Sequence, residues 1–458
     1  MKTSDRGTDS EDDLLAEVKV PAKARNVLRK LDKFLLWKFF VLTVLCYLDR
    51  TNLAFAALQL NSSLHLTGTE YGIGSGIFFL GYTLFQIPSN LALMRFGARK
   101  WLGFLVVIWG IVAALFTTLK SVPQFYVLRF LLGAAESGTL PGMWYHLSLF
   151  YSENELTASW SWVLVGIALS QVIGGPIAAG FLAMDGIGEL KGWQWLFLIE
   201  GALTVVMGIY VAFTLADLPS NANFLNEEER IWLHQRNADL KAKAVSRGAG
   251  MHAWDSLKNY RTWHLAAISM VANIPKYGII FWCPLIIDSI LGGKEKKAIV
   301  ALLSALPFVI SAVAILANAH HSKLTGERRW HVAIPLLVAA VALGVLAALI
   351  QNEPKPAFAA LLVAAVVWAP DAVMASWPAT FLKDAGAATG VALINSVGSI
   401  GGFLGPYIIG AIKDKGGGYT WSMVVLAVAA LLVSFLSAVF PEVDRQKRRP
   451  GSNTMRRL

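Results

Sequence analysis

Charge is scarce in this chain. Only 15% of its 458 residues are Asp, Glu, Lys or Arg, against about a quarter in a soluble globular domain. Long apolar runs fill the deficit and raise the mean hydropathy to +0.54. An ordinary soluble domain is thereby excluded, and a polytopic membrane protein is indicated. Cysteine is nearly absent. Cys46 and Cys283 both lie in apolar runs, which leaves no disulfide framework and no cysteine-based metal site. His320 and His321, adjacent in a predicted loop, lack metal-ligand spacing to Cys, Asp or Glu, so no metal is expected. There is no GKS or GKT phosphate loop, no nucleophile elbow and no zinc-protease motif. Enzymatic catalysis and ATP-driven pumping within the chain therefore have no support, and no cofactor is expected. The acidic start MKTSDRGTDSEDD lacks the signal-peptide pattern, so the first hydrophobic segment is expected to remain in the mature protein.

What is present is a set of twelve apolar segments, near 36–57, 71–93, 101–118, 123–145, 159–182, 194–215, 263–287, 298–318, 331–350, 356–378, 387–411 and 420–440. Each is about long enough to cross a bilayer, and each must be helical, since in lipid a segment satisfies its backbone only within itself. The expected fold is an all-α membrane protein with twelve transmembrane helices in two six-helix halves. The expected divisions are a tail at 1–35, a half at 36–215, a charged cytosolic linker at 216–262, a half at 263–440 and a basic tail at 441–458. With the N-terminus inside, 28 of the 40 Lys and Arg fall in inner segments and 8 in outer loops, while Lys38, Arg50, Arg129 and Lys276 fall within spans. That bias places both termini in the cytosol. The basic C-terminal tail then reads as a topology or lipid-headgroup signal, and nucleic-acid binding is not expected. An internal repeat supports the halves. Gly97 and Gly326 follow spans two and eight, and Pro176 and Pro406 sit in spans five and eleven, at offsets of 229 and 230. Such internal repeats are common in transporter folds.

Against this background the buried charges stand out. A charged side chain at the bilayer centre costs about 2.5–3.5 kcal/mol even on lenient insertion scales, so such residues face protein or water and tend to be functional. Span one holds Asp49 and Arg50, span four Arg129 and Glu136, span seven Lys276, and span ten Asp371. These are the first and fourth helices of each half, which suggests one shared central cavity. Three acids balance three bases, so the site can rest neutral. With the acids protonated it becomes net positive and able to hold an anion. On this reading Asp49, Glu136 and Asp371 couple protons, while Arg50, Arg129 and Lys276 contact the anion. Glu200 in span six reads as a packing or gating residue, and His146 as an interfacial polar group.

YLDRTNL in span one, GYTLFQIPSNL in span two, RFLLGAAESGTLPG in span four, WQWLFLIEG in span six and INSVGSIGGFLGPYIIG in span eleven resemble the major facilitator superfamily, in particular its anion:cation symporter branch. The resemblance implies alternating access through a central cavity, with cargoes such as sugar acids, tartrate, phthalate and ureide acids. It implies that Arg50 binds the substrate carboxylate, that Asp49 and Glu136 take protons, and that Arg129 balances charge or contacts substrate. Tyr47, Tyr82 and Asn395 match polar cavity positions; Lys276 and Asp371 match no hallmark. The loop after span two departs from the superfamily pattern, with Met94 where an acid is usual and Lys323 at the equivalent place in the second half. The expected function is proton-coupled symport of a small organic anion by a multi-pass, monomeric protein of the plasma membrane. A sodium-coupled or uncoupled carrier, and a ligand-sensing receptor or channel, stay open at this point.

Overall fold

The computed structural model describes residues 22–246, 253–382 and 384–441, and the basic tail beyond Pro441 lies outside them. Twelve helical crossings follow one another. They are α1 (Trp37–Leu64), α2 (Gly68–Phe96), α3 (Ala98–Leu115), α4 (Val122–Glu136, continued by Thr139–Phe150), α5 (Glu153–Leu182) and α6 (Gly192–Thr214). Then come α7 (Tyr260–Ile290), α8 (Lys297–Leu303, continued by Ala305–Thr325), α9 (Arg329–Leu349), α10 (Pro354–Ala364, continued to Asp371–Ser376), α11 (Asp384–Ile412) and α12 (Gly418–Ala438). Among the described residues, nine helical runs meet a length-and-hydropathy standard for crossing a membrane, one of them comprising both α11 and α12. The two crossings outside that standard are α1, which carries Lys38, Asp49 and Arg50, and α4, which is broken after Glu136. Charge and a break are what a functional helix is expected to carry in lipid.

Several local readings change. Because α1 extends to Leu64, Asp49 and Arg50 stand at its middle rather than past it. His320 and His321 lie inside α8, not in a loop. Pro275 does not break α7, which continues through it and through Pro284; the break near a proline comes instead in α10, just before Asp371. His146 is fully buried between the rings of Phe39 and Phe150, so it is no interfacial group. The repeat has a backbone meaning. Gly97 and Gly326 both cap a helix C-terminus at positive φ, 85° and 69°, a conformation that L side chains rarely adopt.

On the charge-derived orientation, α2 begins and α11 ends on the outer side. There the two sets of helices close on each other without room for side chains. A Cβ on Gly72 would lie 2.6 Å from the Pro406 carbonyl, one on Gly76 2.8 Å from the Phe403 carbonyl, and one on Gly410 2.0 Å from the Gly68 carbonyl. Beside them Gly175 of α5 meets Ala301 and Ala305 of α8. The Tyr71 hydroxyl donates to the Phe281 carbonyl at 2.7 Å. Asp414, in the loop after α11, accepts from the backbone N–H groups of Gly68 (2.8 Å) and Thr69 (2.7 Å). An anion is thus seated at the positive end of α2. Together these contacts close the outer side.

The cytosolic ends are tied within the first set of helices. The helix Glu227–Ser246 docks beneath α4: Arg236 pairs with Glu155 at 3.0 Å and donates to the Phe150 carbonyl, and Asn237 donates to the Leu149 carbonyl. Met94 is exposed; in place of an acid there, Asp217 accepts from the Arg99 backbone N–H at 2.7 Å and lies 3.7 Å from its guanidinium.

Burial pushes the Asp414 carboxyl up, but its hydrogen bonds with Thr69 and Gly68 outweigh that and hold it below its ordinary 3.8. A lowered folded value means the latch is intact at neutral pH and is lost only as pH falls through that value. Asp414→Asn is expected to loosen the outer closure. Spin labels at the exposed positions Ser62 and Lys415 should report a longer-distance population in the variant, and no pH response of the parent between about pH 8 and pH 6. An unchanged distance distribution in the variant would show that the glycine contacts alone hold the outer side.

Candidate functional site

The site is built where α1, α2 and α4 cross closely. A Cβ at Gly133 of α4 would stand 2.0 Å from the Phe78 carbonyl, and one at Gly81 of α2 would stand 2.2 Å from the Phe130 carbonyl. Small residues at these positions let the helix backbones touch. The close approach sets the Phe78 ring between two guanidinium groups, 5.2 Å from Arg50 and 5.0 Å from Arg129. Arg50 also lies 4.9 Å from the rings of both Tyr47 and Tyr82. A cation in such a cage is held partly by ring quadrupoles, which leaves its N–H edges available.

Arg50 Nε donates to Glu136 Oε2 at 2.8 Å. Glu136 is wholly buried and ends the first segment of α4, so its side chain enters the bundle where the helix breaks. Cys46, one turn before Arg50, approaches the same oxygen at 3.3 Å. Among the described residues, Arg50 Nη2 and Glu136 Oε1 are buried without a hydrogen-bond partner. A buried charged pair normally uses all of its donors and acceptors, since an unmet one costs about 1–3 kcal/mol or more. The unmet edges are hydrogen-bonding capacity that the protein itself leaves unused in this state.

The neighbouring acids form no ion pair among the described residues. Asp49 accepts from the Trp109 indole N–H, and Glu200 from the Asn52 amide. Both acids are buried, at 1% and 4% exposure. Arg50 therefore turns away from its sequence neighbour Asp49 and toward Glu136. Glu200 belongs to this buried polar set; the sequence reading assigned it packing or gating. Trp109, Asn52, Cys46 and Phe78 were not singled out in the sequence. Asn52 and Cys46 do share α1 with the charged pair, which was a usable signal, whereas nothing marked Trp109 beyond its residue type.

Arg129 lies against the same Phe78 ring as Arg50. It is fully buried and donates through Nε to the Gly74 carbonyl at 3.2 Å and through Nη2 to the Ser75 carbonyl at 3.4 Å. It thus joins α4 to α2, and its Nη1, like Arg50 Nη2, is buried without a hydrogen-bond partner among the described residues. Lys276 Nζ and Asp371 Oδ1 form a pair at 2.6 Å between α7 and α10, with the Asp371 side chain 37% exposed. Asn395 is exposed on α11. The geometry brings together Arg50, Glu136, Tyr47 and Tyr82, with Asp49 behind them; it sets Lys276 with Asp371 in the second half and leaves Asn395 apart.

A bundle of membrane-crossing helices with an ion pair and buried acids among them, closed at one face by close helix contacts, has the make-up of a membrane carrier. The model of the Major Facilitator Superfamily matches residues 39–406, and this chain belongs to that family; it is an integral, multi-pass membrane transporter. It is 37% identical to a "Putative tartrate transporter" of Agrobacterium vitis over 90% of this chain and 91% of that protein. It is 34% identical to the "Putative metabolite transport protein NicT" of Pseudomonas putida over 88% and 93% of the two chains. Among solved structures, a bacterial homolog of the human lysosomal transporter Spinster, in an inward-facing and unoccupied conformation, superposes with a TM-score of 0.70 at 18% identity, covering 89% of this chain and 96% of that one. At that identity the likeness concerns the fold alone.

If Arg129 joins α4 to α2 as described, Arg129→Met should remove two hydrogen bonds between these helices and lower the stability of the purified protein by about 1–3 kcal/mol. Thermal unfolding in detergent measures this; an unchanged midpoint would show that the guanidinium contributes nothing to the packing.

Proposed function

We propose that the protein is a secondary active transporter that carries a small organic anion bearing a carboxylate, together with protons, by alternating access. The observation that carries this reading is the Arg50–Glu136 pair, buried under three aromatic rings, with one guanidinium nitrogen and one carboxylate oxygen unmet. The tartrate named for the Agrobacterium vitis relative is an anion of this chemistry.

The proposed cycle follows from competition for one cation. While Glu136 is ionised it occupies Arg50. A proton on Glu136 removes that charge, and the guanidinium can then take a carboxylate through parallel N–H bonds. Proton and anion therefore favour each other's binding, and by linkage each raises the other's affinity by the same factor. Asp49 and Glu200, buried on neutral donors, hold further protons close to the pair. Tyr47 and Tyr82 orient the anion and keep water from the guanidinium face. Two six-helix units, 36–215 and 263–440, joined by 216–262, then rock about the bound cargo. Release of the anion to the cytosol returns Glu136 to Arg50. The transporter acts as a monomer in the plasma membrane with both termini in the cytosol.

In proteoliposomes, Arg50→Ala should reduce carboxylate uptake by more than about tenfold, the loss expected for a charge-assisted hydrogen bond. Glu136→Gln should retain anion exchange between the two sides while losing accumulation driven by a pH gradient. Uptake by Arg50→Ala at the parent rate would refute the carboxylate assignment. Accumulation that follows a sodium gradient at clamped pH would replace protons by sodium as the coupling ion. Ligand binding without saturable, gradient-driven accumulation would make the protein a receptor or channel.

A further inference from the structure

Resting on the carboxylate reading above, we infer that Lys276 and Asp371 form a second exchangeable cation–acid pair, and that the cargo is a dicarboxylate whose two ends are held by Arg50 of one half and Lys276 of the other.

The first support is the repeat. Arg50–Glu136 joins α1 to α4, the first and fourth crossings; Lys276–Asp371 joins α7 to α10, the seventh and tenth. Between the pairs the cations are 226 residues apart and the acids 235, which brackets the 229 and 230 of the glycine and proline repeats. Internal repeats place equivalent residues at equivalent points around a shared central site. The second support is adjacency. Tyr277, next to Lys276, packs its ring 4.5 Å from Phe79, whose neighbour Phe78 lies under Arg50. A chain of aromatic rings thus runs from Arg50 to the residue beside Lys276.

The third support is energetic. As a clamp between α7 and α10 the pair is poorly designed. With the Asp371 side chain 37% exposed and that of Lys276 12% exposed, solvent screening leaves such a pair with little net stabilisation, and apolar residues would join the helices at least as well. A part-exposed acid on a mostly buried cation is better suited to being displaced. A monoanion that displaces Glu136 leaves the second pair intact. A dianion can satisfy both cations at once and so gains a second charge-assisted contact. Lysine suits the distal end, since its flexible point charge follows carboxylates at different distances while the Arg50 fork fixes the proximal one.

The test compares tartrate with its monoamide, which has the same skeleton and one carboxylate fewer, by competition binding to the purified full-length transporter. The parent should favour the dianion by about tenfold or more. Lys276→Gln should collapse that preference toward unity, whereas Asp371→Asn, which frees the lysine, should keep or increase it. A preference unchanged in Lys276→Gln, or binding lost equally for both compounds with a lower unfolding temperature, would overturn the inference and leave the pair structural. The underlying carboxylate reading fails differently: Arg50→Ala would then bind both compounds as the parent does, or the parent would bind neither.

Discussion

A guanidinium and a carboxylate 2.8 Å apart, enclosed by aromatic rings near mid-helix, are the interaction on which the rest depends. Buried pairs add little stability, because the desolvation of both ions offsets their attraction. Their presence in a chain otherwise poor in charge calls for another explanation, and the proposed cycle offers competition. In that cycle each partner is taken by something else, the acid by a proton and the base by an anion. The structure around the pair preserves that choice. Close helix crossings at Gly81 and Gly133 place Phe78 beneath the guanidinium, and the ring holds the cation without using its donors.

The outer closure depends on different physics. It consists of glycine-to-backbone contacts between α2 and α11, with one carboxylate, Asp414, seated on the start of α2. That acid is held below its ordinary range, so it stays ionised at physiological pH and does not sense protons there. In the proposed cycle, proton sensitivity is therefore separated from this closure and assigned to the interior acids.

Much of this was legible in the sequence. Hydropathy and the Lys and Arg bias located all twelve crossings within a few residues at most ends, because lipid tolerates almost nothing but helices. The ends that slipped were polar extensions, such as the last turn of α1 through Asn61 and Ser62, which hydropathy cannot see. Charges in apolar runs marked Asp49, Arg50, Glu136, Lys276 and Asp371 because burial of charge demands a reason. The pairings were not legible. That Arg50 serves Glu136 and not Asp49, or that Arg129 donates to the carbonyls of Gly74 and Ser75, depends on side-chain direction and helix crossing. Neighbours in sequence diverge on a helix, as Asp49 and Arg50 do. The contact of Asp217 with Arg99 was invisible for the same reason: only the fold brings the segment after α6 beside the start of α3.

The central claim is that proton and anion bind in place of the internal ion pair. Proton uptake on anion binding, followed with a pH indicator in weakly buffered detergent solution near neutral pH, tests it most directly. The account predicts that binding draws protons from solution and that Glu136→Gln reduces this uptake. Anion binding to the parent with no change in proton content would contradict it.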